Sequence, residues 1–67
     1  MNPVKVSTIK KIAKSKRLSF DYDEANDLYH VKDKKGMLLM EYAPITLMLI
    51  TDPSVWRREF NIMKTER

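Results

Sequence analysis

The spacing of apolar residues along the chain changes twice, and each change marks a different predicted element. Near the N-terminus the apolar residues recur at helical spacing, at Ile9, Ile12 and Ala13. Either Ser7 or Thr8 precedes this stripe and can cap the first turn through its side-chain oxygen. The pattern predicts a short amphipathic helix over about residues 8–16. Because two turns are marginal alone, its apolar stripe must pack against the rest of the protein.

After this helix the apolar period becomes two, which is typical of a half-buried strand. Polar residues alternate there with Leu18, Phe20 and Tyr22. We predict further strands over 28–32 and 37–42. Turns over 24–27 and 33–36 connect the three strands, and Gly36 can adopt the positive φ that such a turn needs. Together these segments predict a three-stranded antiparallel meander.

The region after Pro44 leaves two alternatives open. Its β-branched residues over 45–50 favour a fourth, buried strand, whereas its short length also allows a helical turn. Asp52 can then cap a second helix, Pro53 suits its first position, and a helical stripe follows at Val55, Trp56, Phe60 and Met63. The predicted fold is a small α+β domain spanning residues 1–67. In it, a three- to four-stranded antiparallel sheet packs against an N-terminal and a C-terminal helix.

Charge is distributed unevenly along this pattern. The whole chain has a net charge of +4, yet its first 17 residues carry six bases and no acid. Such an asymmetry indicates a polyanionic or acidic partner. The alternative is an ordinary solvated helix face, but a merely solubilising helix usually mixes charge signs to gain i,i+4 pairs. The six bases are Lys5, Lys10, Lys11, Lys14, Lys16 and Arg17.

The segregated charge predicts a non-enzymatic binding or regulatory module that contacts nucleic-acid phosphates without reading sequence. An acidic protein is the alternative partner. The composition is also typical of small phage or mobile-element proteins. The predicted nucleic-acid-binding residues are Lys10, Lys11, Lys14, Lys16 and Arg17, with Arg57 and Arg58 extending the surface.

A second signal is the excess of apolar residues over 37–50, which breaks strict strand alternation. A strand that is apolar on both faces is buried on both, and two helices can cover only one face of a small sheet. This excess predicts a protein-interaction surface that serves an inhibitor, an adaptor or a homodimer. The alternative is that Pro44 turns the chain and the whole run lies in one core. The predicted interaction residues are Met37, Leu39 and Met48.

Several function classes lack the residues that they require. The chain has no cysteine, one histidine and one glycine, which leaves no thiolate chemistry, no nucleophile–base pair and no glycine-rich phosphate loop. The acidic segment from Asp21 departs from a calcium loop, because its fifth, sixth and twelfth positions are Ala25, Asn26 and Lys32. No apolar run approaches the roughly 20 residues that span a bilayer. We therefore expect a cytoplasmic protein without enzymatic activity, cofactor, metal or membrane partner.

The string Ser7-Thr8-Ile9-Lys10-Lys11-Ile12-Ala13-Lys14 locally resembles the basic helix start of double-stranded-RNA-binding domains. The predicted α-β-β-β-α order is also similar to the topology of that family. In the family, however, the Lys-Lys-x-Ala-Lys element begins the second helix, after the sheet, whereas here it lies in the first. The segment that begins the second helix here, residues 52–58, has no such element. The sequence is therefore assigned to no family.

Overall fold

A computed structural model describes residues 3–65 of the chain as a sheet covered by helices. The fold belongs to the α+β class, as the hydrophobic pattern predicts. Its elements, in chain order, are α1 (Val6–Ser15), β1 (Ser19–Asp23), β2 (Leu28–Lys32), β3 (Leu38–Tyr42), α2 (Pro44–Leu49) and α3 (Pro53–Thr65).

The predicted meander is confirmed: β1, β2 and β3 lie side by side in this order, each antiparallel to its neighbour. Phe20 pairs with Val31, which pairs with Met40 on the far strand. Partners across a sheet share one face, and successive residues alternate between faces. One face is therefore largely aromatic and aliphatic. The other carries the cross-strand row Asp21, His30 and Glu41.

The helices α1 and α3 contact each other, and both belong with the apolar sheet face to one buried cluster. The ring of Phe20 packs edge-on against Trp56, with centroids 5.9 Å apart, and also contacts Phe60. The smallest extent of the molecule, 17 Å, fits one layer of helices on one sheet. The fully or nearly buried hydrophobic residues are Ile9, Ile12, Ala13, Leu18, Phe20, Val31, Tyr42, Leu47, Trp56, Phe60 and Met63.

The N-terminus of α1 differs from the prediction. The helix begins at Val6, and the predicted cap by Ser7 or Thr8 is wrong, because Lys5 is the N-cap and makes no side-chain capping bond. The Lys5 carbonyl instead accepts hydrogen bonds from the amides of the third and fourth helical residues, at 2.9 and 3.1 Å. An earlier start places Val6 one turn before Ile9, where it packs against the core. Burying this side chain offsets the missing cap, which is worth about 1 kcal/mol.

The ambiguous segment after β3 is a helix, so the alternative of a fourth strand is wrong. Pro44 lies at the start of α2, where its fixed φ favours a helical turn. The first N–H groups of a helix have no intrahelical acceptor, so the missing N–H of proline removes no hydrogen bond there. Leu47 alone of this helix is buried. The third strand starts at Leu38, one residue later than predicted, because the Met37 amide and carbonyl are both hydrogen-bonded within the preceding turn.

The predicted start of α3 is confirmed. Pro53 is its first residue, and the Ser54 amide donates a 2.9 Å hydrogen bond to a carboxylate oxygen of Asp52. The hydrogen bonds from Ser54 hold the pKa of Asp52 below its usual value. Of the predicted stripe, Trp56, Phe60 and Met63 are buried, while Val55 is half-buried at its margin.

Candidate anion-binding surface

The first candidate surface is the exposed face of α1. Ser7, Lys10, Lys11 and Lys14 occupy helical positions i, i+3, i+4 and i+7, so they lie together on one side of the helix. All four are exposed, whereas the opposite side of α1 is buried. We call these four residues the α1 face. Like charges at i and i+4 destabilise an isolated helix by roughly 0.2–0.5 kcal/mol per pair, and a bound anion would relieve this repulsion.

Two carboxylates at the turn between β1 and β2, those of Asp23 and Asp27, accept hydrogen bonds from nearby groups. Asp23 accepts hydrogen bonds from the Ala25 amide at 3.1 Å and from the Asn26 side-chain nitrogen at 2.7 Å. The bond from Asn26 is the main reason that the pKa of Asp23 lies below its usual value. The Tyr22 hydroxyl donates to Asp27, which raises the pKa of Tyr22 to about 12. Asp23 and Asp27 thus help to shape the hairpin.

These acids do not neutralise the basic helix. Within residues 3–65, neither Asp21, Asp23, Glu24 nor Asp27 forms an ion pair with a lysine or arginine. The partner of Asp23 is His30, whose Nε2 lies 3.6 Å from a carboxylate oxygen of Asp23 and 3.1 Å from one of Glu41. The positive charge of the α1 face is therefore available to a partner molecule.

A second candidate lies where α1, the β2–β3 turn and α3 meet. A cleft of about 190 Å³ opens there, and its lining is largely apolar while its rim is basic. We call it the basic cleft. Sequence reasoning missed three of its bases, because only the fold brings the ends of both helices to the same turn. The lining residues are Lys16, Arg17, Leu18, Asp33, Lys34, Lys35 and Lys64.

Arg17 reaches the rim of the cleft at the cost of an unfavourable backbone conformation. Its φ of 62° lies in the left-handed region, which disfavours L-residues by roughly 1–2 kcal/mol. Its amide donates to the Lys14 carbonyl at 3.0 Å, and the Leu18 amide donates to the Ala13 carbonyl at 2.9 Å. This pair of bonds is the Schellman motif, in which glycine usually occupies the left-handed position.

The turn that carries Lys34 and Lys35 is built around Asp33. This carboxylate is buried and accepts hydrogen bonds from the Lys35 amide at 2.8 Å and the Met37 amide at 2.9 Å. Gly36 completes the turn with a φ of 88°, the conformation for which glycine was predicted here. Asp33 therefore fixes the loop backbone while both lysines stay exposed beside the cleft.

Arg57 and Arg58 lie elsewhere. Both are exposed in the first two turns of α3, close enough to Asp52 to help lower its pKa after the larger effect of Ser54. Lys64 lies seven residues after Arg57, or about 10 Å farther along the helix axis. The structure thus separates the two arginines from the basic cleft, while Lys16 and Arg17 line it.

The predicted interaction residues also separate. Met37 and Met48 are exposed, at 58% and 62%, whereas Leu39 is partly buried and packs against the core. β3 is an edge strand, since it has β2 as a neighbour on one side and ends the sheet on the other. The large hydrophobic residues exposed from the residue before β3 to the end of α2 are Met37, Leu38, Met40, Ile45, Met48 and Leu49.

Among the helices of residues 3–65, none has the length and apolar character needed to cross a bilayer. No protein-family model, curated protein or solved structure matches the chain. Function is therefore inferred from surface geometry and charge alone.

Proposed function

We propose that the protein is a non-enzymatic module that binds the phosphate backbone of nucleic acid through the α1 face, without reading base sequence. The observation that supports this most directly is the absence, within residues 3–65, of ion pairs between the acidic β1–β2 turn and the lysines of α1. Three ammonium groups on one exposed face release condensed counterions when they meet a polyphosphate.

The geometry of the α1 face fits a phosphate backbone. Lys10 and Lys14 lie four residues apart, which is about 6 Å along the helix axis. This rise is close to the axial length of two base-pair steps of ~3.4 Å, the spacing of charges per strand along a duplex axis. Lysine binds phosphate as a point charge and discriminates little between bases. Because nucleic acid is an intracellular partner and the chain has no cysteine, we assign the activity to the cytoplasm.

Fluorescence anisotropy with a labelled oligonucleotide of about 12 nucleotides tests this proposal. At about 50 mM salt, where phosphate-driven affinity is strongest, we expect the unaltered protein to bind. The variant Lys10→Gln/Lys11→Gln/Lys14→Gln should bind about tenfold or more weakly. The control is Lys32→Gln, which removes one charge on the opposite sheet face and should change little. If the oligonucleotide does not bind at this salt concentration, the proposal is wrong, and an acidic protein becomes the better candidate partner.

A second candidate function is self-association through β3 and α2. Six of the large hydrophobic residues that the structure exposes lie within 37–49, beside a sheet edge. Antiparallel pairing of β3 with β3 of a second copy satisfies the free backbone groups of this edge and buries the same side chains. The interval 37–49 contains a single charged side chain, Glu41, so little charge opposes the pairing of two identical strands.

Sedimentation velocity over a range of protein concentrations tests self-association. We expect a dimer whose population rises with concentration, and the variant Met48→Lys/Leu49→Lys should shift it to monomer. The matched control is Lys10→Gln, which lies on α1 and should leave the dimer intact. A monomer at all concentrations, near 1 mM included, overturns this candidate.

A further inference from the structure

We propose that the basic cleft binds one unpaired nucleotide, with the base against the apolar floor and the phosphate at the basic rim. This inference rests on the proposed function, because it names which part of a nucleic acid the protein prefers. A regular duplex keeps its bases stacked and paired, and only an end or a single strand can offer a base to a cleft. The protein should therefore prefer single-stranded nucleic acid to blunt duplex.

The charge of the cleft exceeds what the fold itself needs. Cations near helix C-termini are favoured by the helix dipole, which accounts for Lys16 and Arg17 after α1 and for Lys64 in the last turn of α3. Lys34 and Lys35 belong to a turn and have no such reason to be there. Among the described residues that line the cleft, Asp33 is the one acid beside five bases, and it accepts two backbone hydrogen bonds from its own loop.

The size and lining of the cleft indicate a ligand larger than a bare phosphate. A volume of about 190 Å³ corresponds to roughly six water molecules at ~30 Å³ each. The lining is largely apolar, with Leu18 in the core beneath it. A free inorganic anion gains nothing from such a floor, whereas a flat nucleobase buries apolar surface on it. Arg17 on the rim adds a planar guanidinium that can stack on a base.

Backbone strain at the rim is a further observation. Arg17 is held in the left-handed region, where glycine would cap α1 without penalty. A non-glycine residue kept in such a conformation is a reason to look for a role in binding. Arg17 follows Lys14 by three residues, and its amide donates a 3.0 Å hydrogen bond to the Lys14 carbonyl. The rim of the cleft therefore begins close to the C-terminal end of the α1 face.

The experiment compares a fluorescent single strand of about 12 nucleotides with a blunt duplex of the same sequence, at about 50 mM salt. The cleft variant is Lys34→Gln/Lys35→Gln, and the matched control is Lys32→Gln on the neighbouring strand. We expect the unaltered protein to bind the single strand several-fold more tightly than the duplex. The cleft variant should lose about tenfold in single-strand affinity and less than twofold in duplex affinity. The α1-face variant should weaken both.

Binding of a mononucleotide separates this inference from the proposed function. Adenosine monophosphate should shift the NMR amide signals of Arg17, Leu18, Lys34 and Lys35, and inorganic phosphate at the same concentration should shift them much less. Equal effects of the two ligands, or shifts confined to the α1 face, overturn the inference. An equal loss of single-strand and duplex affinity in the cleft variant overturns it as well. If neither oligonucleotide binds, the proposed function fails, while the mononucleotide titration still decides the cleft.

Discussion

The amide nitrogen of Leu18 donates a 2.9 Å hydrogen bond to the carbonyl oxygen of Ala13, and this bond closes the C-terminus of α1. Both residues are buried, so the closure also provides the hydrophobic contact that accompanies a Schellman motif. Arg17 lies between them in the left-handed conformation. One short segment thus ends the helix, begins the sheet and places a cation at the basic cleft.

The first prediction concerns Arg17→Gly. Glycine adopts the left-handed conformation without a Cβ penalty, so we expect the free energy of unfolding to rise by about 1 kcal/mol. Mononucleotide affinity should fall, because the guanidinium is lost. Urea denaturation followed by the fluorescence of Trp56, the only tryptophan and fully buried, measures the stability. Arg17→Ala is the control: it removes the same charge but keeps the strain, so it should weaken binding without stabilising the fold.

The second prediction concerns the turn around Asp33. In Asp33→Ala the amides of Lys35 and Met37 lose their acceptor. Because both residues are exposed, water can replace the carboxylate in part, and we expect each lost bond to cost about 1 kcal/mol. Hydrogen exchange at these two amides should accelerate, and single-strand affinity should fall because the loop is no longer fixed. Asp33→Asn keeps one side-chain oxygen as acceptor and should retain most of the protection. Unchanged exchange in Asp33→Ala would contradict this role.

The third prediction is a loss of stability at alkaline pH that depends on Tyr42. Burial raises the pKa of Tyr42 well above its usual value of 10.0, and the nearby charge of Glu59, to which its hydroxyl donates, adds to this. The pKa of Tyr42 is higher in the folded protein than in the unfolded chain. The protonated hydroxyl therefore contributes its full share of the folding stability below pH 10, and this share is lost as the pH rises further. Tyr42→Phe removes the titrating group, so its urea midpoint should fall less steeply above pH 10 than that of the unaltered protein.

The fourth prediction concerns the acidic hairpin turn. The Asn26 side chain donates to Asp23 and keeps its pKa below the ordinary 3.8. In Asn26→Ala we expect the titration midpoint of the Asp23 carboxyl carbon, followed by NMR, to move up towards 3.8. Because the folded pKa is depressed, the stabilisation is present above pH 3.8 and is lost as the pH falls through the folded pKa. An unchanged midpoint would contradict the role of the Asn26 side chain, because the backbone amide of Ala25 and the charge of His30 would then be enough to lower the pKa of Asp23.

Much of the fold could be predicted from local pattern. Apolar residues alternate with polar ones around Phe20, and this pattern identifies the first strand. Gly36 marks the turn before β3, and Pro53 marks the start of α3. The start of α1 could not be predicted, because burial of Val6 outweighs the capping preference of Ser7. The segment after Pro44 could not be decided either, since β-branched content and short length favour different structures there.

The sequence predicts the α1 face of the candidate site but not the basic cleft. Lys10, Lys11 and Lys14 are close in the chain, so helical periodicity alone places them on one face. Lys35 and Lys64 are far apart in the chain, and they meet only because α3 ends beside the β2–β3 turn. The left-handed backbone of Arg17 could not be predicted either. Glycine usually marks such a position at the end of a helix, and here the sequence has arginine instead.

The salt dependence of oligonucleotide binding tests the proposed phosphate contacts most directly. Each phosphate contact contributes about −0.7 to the slope of log K against log salt for a single strand. The variant Lys10→Gln/Lys11→Gln/Lys14→Gln should therefore give a slope shallower by about 2 than the unaltered protein. Lys32→Gln should leave the slope unchanged. A slope that is the same with and without the three lysines of the α1 face would contradict the proposed function.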